Sequence, residues 1–251
     1  MVGEAAALRS ALRSIAEGAV AILLAPECAA CHEPLEEPTR GPVCGRCWNA
    51  IVPITPPCCR TCGDPLPSWR VISIAESTCA RCRRKPPLVT RVRAVGPYES
   101  SLRAIVHALK YGGRSTLARP LAARLRACGD EVLAGADLVV PVPLHRSRER
   151  QRGFNQAAEI ARHLGVPLQH ALRRTRRTPS QADLPAARRH ANVRGAFAAA
   201  ADASVSKSIV VLVDDVSTTG ATLNACAAVL LTAGAREVRA LIVARAVTRT
   251  P

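Results

Sequence analysis

Val210-Val-Leu-Val-Asp-Asp-Val-Ser-Thr-Thr-Gly-Ala-Thr-Leu223 decides how this chain is read. Four apolar residues, three of them β-branched, suit a short strand buried on both faces. Asp214 and Asp215 stand at its carboxyl end, followed by small hydroxyl residues around Gly220. Residues 221–233 then read as a helix that Gly234 ends. A strand, a tight turn of small residues and a helix N-terminus together make an anion site. The free N–H groups of the first turn and the helix dipole both favour phosphate. Ser217, Thr218, Thr219 and Thr222 add hydroxyl donors, and Gly220 lets backbone approach closely. The two acids precede that site, so they suit sugar hydroxyls beside a phosphate rather than the phosphate itself.

Moving outward, strand and helix alternate from residue 89 onward. Residues 89–98 read as a strand, 102–111 as a helix stopped at Gly112-Gly113, and 117–133 as another helix. Residues 137–142 form a second clear strand, which Pro141 should end because it cannot donate to a ladder. A basic loop with Arg146, Arg148, Arg150 and Arg152 leads into a helix from Gln156 to about Leu164, a second candidate phosphate site. A short strand over 166–172 is weaker. Residues 173–192 are basic and polar, which fits a lid or a nucleic-acid patch. Residues 209–213 and 237–244 complete the strands. The alternation predicts an α/β domain over 88–251 with a mainly parallel sheet. Ligands in such sheets sit at the carboxyl ends of the strands, which places Asp214, Thr219 and the Pro143 to Arg152 loop on one edge.

The first third of the chain is different. Eight of the eleven cysteines fall in CxxC pairs: Cys28/Cys31, Cys44/Cys47, Cys59/Cys62 and Cys79/Cys82. Two such knuckles supply four thiolates for one tetrahedral Zn²⁺. The Pro-rich segment 26–87 is too poor in core to fold without a staple, so two structural zincs are expected. Redox-active pairs are the alternative reading, but no thioredoxin-like setting surrounds them. Spacing leaves two matters open: the pairing of knuckles, which could interleave, and whether Cys58 or Cys59 is the ligand. His32 reads as a bystander. Residues 1–25 predict an amphipathic helix that docks on the protein. With no convincing secretory signal and an apolar stretch too short to span a bilayer, a cytoplasmic protein is expected. The net charge of +16 favours phosphorylated or polyanionic partners, whereas two each of Trp, Tyr and Phe argue against a broad base-stacking platform.

The 210–223 string resembles the 5-phosphoribosyl-1-pyrophosphate (PRPP) motif of type I phosphoribosyltransferases. Together with Pro141-Val-Pro-Leu144, Arg152-Gly-Phe-Asn-Gln156, Leu109-Lys-Tyr-Gly112, the 178–197 segment and the cysteine pattern, it resembles the ComF family (ComFC/GntX-like). Two features depart from that family: a longer N-terminus, and Ser217, where a bulkier residue is common. The resemblance implies a type I phosphoribosyltransferase-like fold preceded by a small double zinc-ribbon domain. It implies Mg²⁺–PRPP as ligand, with Asp214 and Asp215 on the ribose hydroxyls and Ser217, Thr218, Thr219, Gly220, Ala221 and Thr222 around the 5′-phosphate. The turn containing Pro143 looks like the pyrophosphate loop, and 173–194 like the flexible loop. Lys110, Arg152 and Arg194 are further candidates for pyrophosphate or loop contacts. The activity implied is transfer of the phosphoribosyl group to an unidentified nitrogen acceptor. The alternative is a PRPP-sensing or single-stranded-DNA-binding module of DNA uptake, with a helicase of that system as partner. Neither the acceptor nor the oligomeric state is legible.

Overall fold

The computed structural model describes residues 25–66, 77–176 and 193–246. The helix expected near the N-terminus and most of the basic segment after Arg176 lie outside them. The chain forms two compact units, one from residues 1–51 and 99–117, the other from 52–98 and 118–251.

The second unit holds a sheet of four parallel strands: β1 (Val92–Pro97), β2 (Leu138–Pro141), β5 (Ile209–Ser217) and β6 (Glu237–Arg245), in the order β1-β6-β5-β2. The central strands explain their own composition. Val210, Val211, Leu212 and Val213 on β5, and Leu241, Ile242 and Val243 on β6, are completely buried. Both faces are covered, so apolar residues run consecutively rather than alternating. Pro141 closes β2, an edge strand, where its missing N–H leaves no gap in a central ladder. A separate antiparallel pair, β3 (Leu172–Arg174) and β4 (Phe197–Ala199), brackets the basic segment. The short strand expected over 166–172 is reduced to a bridge between Leu168 and Val139, and only its last residue enters β3.

Helix α4 (Ala118–Cys128) packs on β1 and β6, and α7 (Gln156–Ala161) on β2 and β5; the two helices also touch each other. Helix α8 (Ala221–Thr232) sets Leu223, Cys226, Ala227 and Leu230 in one core with Val140, Val210, Leu212 and Ile242.

Two expectations are corrected. The single helix expected over 117–133 divides into α4 and a short α5 (Asp130–Leu133) at Gly129, whose φ of −119° leaves the helical region; only glycine fits there, since a Cβ would lie 2.7 Å from the Leu125 carbonyl and overlap the Leu241 side chain. The expected basic loop after Pro143 is mostly a helix, α6 (Arg146–Arg152), capped by His145 and ended at Gly153 with φ +82°. Its arginines mask helix periodicity because no α6 residue is buried.

In the first unit, α3 (Ser100–Tyr111) buries Leu102, Ile105, Val106 and Leu109 along one stripe and stops at Gly112. Its neighbour in that unit is the short helix α1 (Gly45–Asn49) of the first cysteine centre. A matching short helix in the second unit, α2 (Ala80–Arg84), carries part of the second centre.

Candidate functional site

The eight cysteines gather in two sequential clusters, Cys28/Cys31/Cys44/Cys47 and Cys59/Cys62/Cys79/Cys82, with all sulfurs of a cluster within 4.8 Å of one another. The knuckles do not interleave, and Cys59 rather than Cys58 is in the cluster. The clusters are built alike. Cys28 and Cys59 follow isolated bridges, Glu27–Pro34 and Cys58–Pro65. Cys44 and Cys79 occupy the N-cap positions of α1 and α2, and Cys47 and Cys82 lie within those helices. Backbone N–H groups of Cys44 and Cys79 donate to the sulfurs of Cys28 and Cys59, each at 3.3 Å.

The sulfurs of Cys31 and Cys44 are 3.8 Å apart and those of Cys62 and Cys79 3.7 Å. A tetrahedron with Zn–S of about 2.3 Å has sulfur–sulfur edges of roughly 3.8 Å, so both sets fit Zn²⁺. The environment favours thiolate at Cys28 and Cys59, whereas burial pushes Cys47 and Cys82 up. Burial opposes ionisation of Cys28, but N–H donors from Cys44, Ala30 and Cys31 bring its pKa down to about 6. The hydrogen bond shared with Cys62 holds Cys59 down to about 4, against burial and with further N–H donors, while pushing Cys62 up. Such closed four-sulfur sites are structural, with no open coordination position for chemistry.

The second feature is the carboxyl edge of the sheet. Strand β5 runs through Asp214 and Asp215 to Ser217, and the Asp215 N–H donates to Asp214 Oδ1 at 2.9 Å. Gly220 takes φ +77°, a left-handed conformation that side chains disfavour, and it is the N-cap of α8. Thr219 Oγ1 accepts from the Ala221 N–H at 3.4 Å. Ser217 is buried, while Thr218, Thr219 and Thr222 are partly exposed along the turn. A strand end, a glycine in the left-handed region and the first turn of a twelve-residue helix thus converge on one short loop.

The neighbouring loop after β2 is fixed to it. Pro141 is in register with Val213, and the Val142 N–H donates to the Val213 carbonyl at 2.9 Å. Asn155 donates from Nδ2 to the Val142 carbonyl at 3.1 Å, while its Oδ1 caps α7. These contacts explain Gly-Phe-Asn-Gln: Gly153 ends α6 and Asn155 starts α7. Pro143, Arg146, His170 and Arg174 line one cleft beside this loop.

Arg174 falls in the stretch over 173–192 that its basic, polar sequence predicts to be a loop. It lies on β3, its guanidinium 5.3 Å from the centre of the Phe197 ring on β4. Burial and nearby Arg148 lower its pKa, and Asp214 works in the opposite direction. The alternation of Leu172 and Arg174 opposite Phe197 was the available signal. Among the other candidates, Arg152 donates to Gln156 Oε1 at 3.0 Å, and the Arg194 carbonyl accepts from Arg176 at 3.0 Å. Lys110 belongs to the last turn of α3 in the first unit.

Residues 150–250 match the phosphoribosyl transferase domain family, and residues 19–83 match the double zinc ribbon domain family. Competence protein F of Haemophilus influenzae is 31% identical over 219 residues, covering 81% of this chain and 90% of that protein. The chain belongs to the ComF family. Within that family, the DNA utilization protein YhgH of Salmonella typhi is 33% identical over 214 residues, covering 78% of this chain and 86% of that one. Competence protein ComFC of Bacillus subtilis is 28% identical over 193 residues, covering 76% and 79%. The parallel sheet is therefore that of a phosphoribosyltransferase domain, and the cysteine centres belong to a double zinc ribbon. Among the described residues, no helix is long and apolar enough to cross a membrane.

Proposed function

We propose that this ComF-family protein binds Mg²⁺–PRPP at residues 210–223 and transfers its phosphoribosyl group to a nitrogen acceptor. The observation that carries this reading is the convergence of two carboxylates, the Gly220 turn and the α8 N-terminus on one sheet edge. Asp214 and Asp215 hold the ribose hydroxyls. Ser217 to Thr222 take the 5′-phosphate with backbone N–H and hydroxyl donors. The loop at Pro143 takes the pyrophosphate, and Arg174 adds positive charge beside it. Arg152 and Arg194 are further candidates for that role.

In the reaction, the acceptor nitrogen forms a bond to ribose C1 as the bond from C1 to the pyrophosphate oxygen breaks. The bonding pair leaves with pyrophosphate, and the nitrogen gives its proton to solvent. Positive charge grows on the ribose and negative charge on the leaving group, which fixed donors, arginines and the magnesium ion carried by the substrate stabilise. The acids contribute by positioning rather than by proton transfer.

A second reading is favoured by the charge and by the names of the relatives: one is called a DNA utilization protein and another a competence protein, and a net charge of +16 suits a polyanion. Here the same loop senses PRPP, or binds a backbone phosphate of single-stranded DNA, without chemistry.

Calorimetric titration of PRPP with Mg²⁺ into the zinc-loaded protein separates PRPP binding from the DNA reading, and pyrophosphate release on adding a nitrogen base separates transfer from sensing. Saturable binding that is lost in Asp214→Asn and Asp215→Asn supports the phosphoribosyl site. Wild-type affinity in both variants removes the acids from it. Absence of binding in the wild type leaves the DNA reading, which then requires salt-sensitive binding to a single-stranded oligonucleotide.

A further inference from the structure

Asp64 stands two residues after Cys62 and connects the second cysteine centre to the phosphate loop. Its carbonyl accepts from the Cys59 N–H at 2.7 Å, and its own N–H supports the Cys62 sulfur. Its Oδ2 accepts from Arg81 at 2.6 Å, and Arg81 lies between the ligands Cys79 and Cys82. Its Oδ1 accepts from Arg245 Nε. One carboxylate therefore ties both knuckles of the centre to a residue 181 positions away.

Arg245 is the last residue of β6 and is only 1% exposed. It is in register with Ser217, and the next residue, Ala246, donates its N–H to the Ser217 carbonyl at 2.9 Å. Arg245 also lines one cleft with Thr219 and Gly220. Its Nη2 is buried with no hydrogen-bond partner among the described residues. A guanidinium so buried depends on its carboxylate, because an unpaired interior charge is strongly disfavoured. That carboxylate sits on a segment with little apolar core of its own, which metal binding must order. Gly63 presses the same knuckle on β1: a Cβ there would lie 2.7 Å from the Val92 carbonyl. The first centre lacks the device. Glu33 occupies the position equivalent to Asp64, with the matching carbonyl bond to the Cys28 N–H at 2.8 Å, but it is exposed.

We propose that Asp64 and Arg245 form a metal-dependent latch, by which the loop 217–222 keeps its shape only while the second cysteine centre holds its zinc. Loss of that ion releases Asp64, strands the Arg245 charge and loosens the strand end on which the loop is mounted. Zinc occupancy of one ribbon thereby gates the ligand site. The gating rests on the reading of 217–222 as a phosphate loop; the mechanical coupling does not.

The test is hydrogen exchange of peptides spanning 214–223, with zinc counted per chain. Asp64→Asn should keep two zincs and accelerate loop exchange at least tenfold. Cys82→Ser should lose one zinc with the same effect on the loop. Cys47→Ser, which removes the first centre, should lose one zinc and leave the loop at the wild-type rate. Helix α7 should not change in any of them. The double variant Asp64→Asn/Arg245→Met, with both charges gone, should restore slow loop exchange, and it serves as the probe if Asp64→Asn alone does not fold. Wild-type loop exchange in both Asp64→Asn and Cys82→Ser overturns the latch, as does equal acceleration across α7. Failure of PRPP to bind the wild-type protein leaves these exchange results standing and removes only the functional consequence.

Discussion

Gly220→Ala separates what the loop 217–222 needs for folding from what the proposed function needs of it. Gly220 has φ +77°, and a Cβ built there meets no atom within 4 Å. No clash is created, so the folding cost is that of holding an L-residue in the left-handed region, about 1–2 kcal/mol. For a chain of this size that corresponds to roughly 2–8 °C in Tm. The open space around the missing Cβ is where a phosphate would approach the backbone, so one methyl group should cost at least tenfold in PRPP affinity, about 1.4 kcal/mol. Gly129→Ala is the contrasting variant. Its Cβ would overlap Leu241 and approach the Leu125 carbonyl, a core fault costing about 1–3 kcal/mol. It lies at the end of α4, away from the loop, and should leave affinity unchanged. Denaturant unfolding with calorimetric titration reads both quantities on each variant. Wild-type PRPP affinity in Gly220→Ala would refute backbone contact with the phosphate. A folding loss well above 3 kcal/mol would refute the open space.

Three further outcomes are expected. Cys59→Ser should bind one zinc fewer per chain while Cys58→Ser keeps both, by metal analysis after dialysis, because only the Cys59 sulfur joins the cluster. Arg174→Met should lower PRPP affinity about tenfold with little loss of stability, since Met retains packing against Phe197 while removing charge near Asp214; unchanged affinity sets Arg174 aside. Glu237 is held down to about 2 by the Arg239 guanidinium, against partial burial and with help from Thr90. Because its folded pKa is depressed, the stability it contributes is present above the ordinary carboxylate range and is lost as pH falls from about 4.5 towards 2. Glu237→Gln should flatten the acid limb of the unfolding curve in that window, and an unaltered limb would count against the ion pair.

Local chemistry carried much of this protein. The run Val210 to Val213 predicted a strand buried on both faces, and Asp214 to Thr222 a turn into a helix, because strand burial and helix starts leave short-range patterns. Pro141 marked the end of β2 for the same kind of reason. Four CxxC pairs in a Pro-rich segment announced metal centres, since thiolate geometry is local to each knuckle. The element boundaries were less legible where side chains faced solvent. Helix α6 was hidden by its arginines, and the need for glycine at the break after α4 comes from Leu241, a residue of β6.

What the amino-acid order determined by itself was the set of parts: four knuckles, alternating strands and helices, and a turn of carboxylates, hydroxyls and glycine leading into a helix. Only the tertiary structure decided how those parts were joined. It paired the knuckles in sequence, chose Cys59 over Cys58, and brought Arg174 within electrostatic reach of Asp214. It also set Asp64 of a zinc knuckle on Arg245 at the end of the last strand. Each of these depends on residues far apart in the chain meeting in space, and neither periodicity nor spacing records which distant charge will be buried beside which carboxylate.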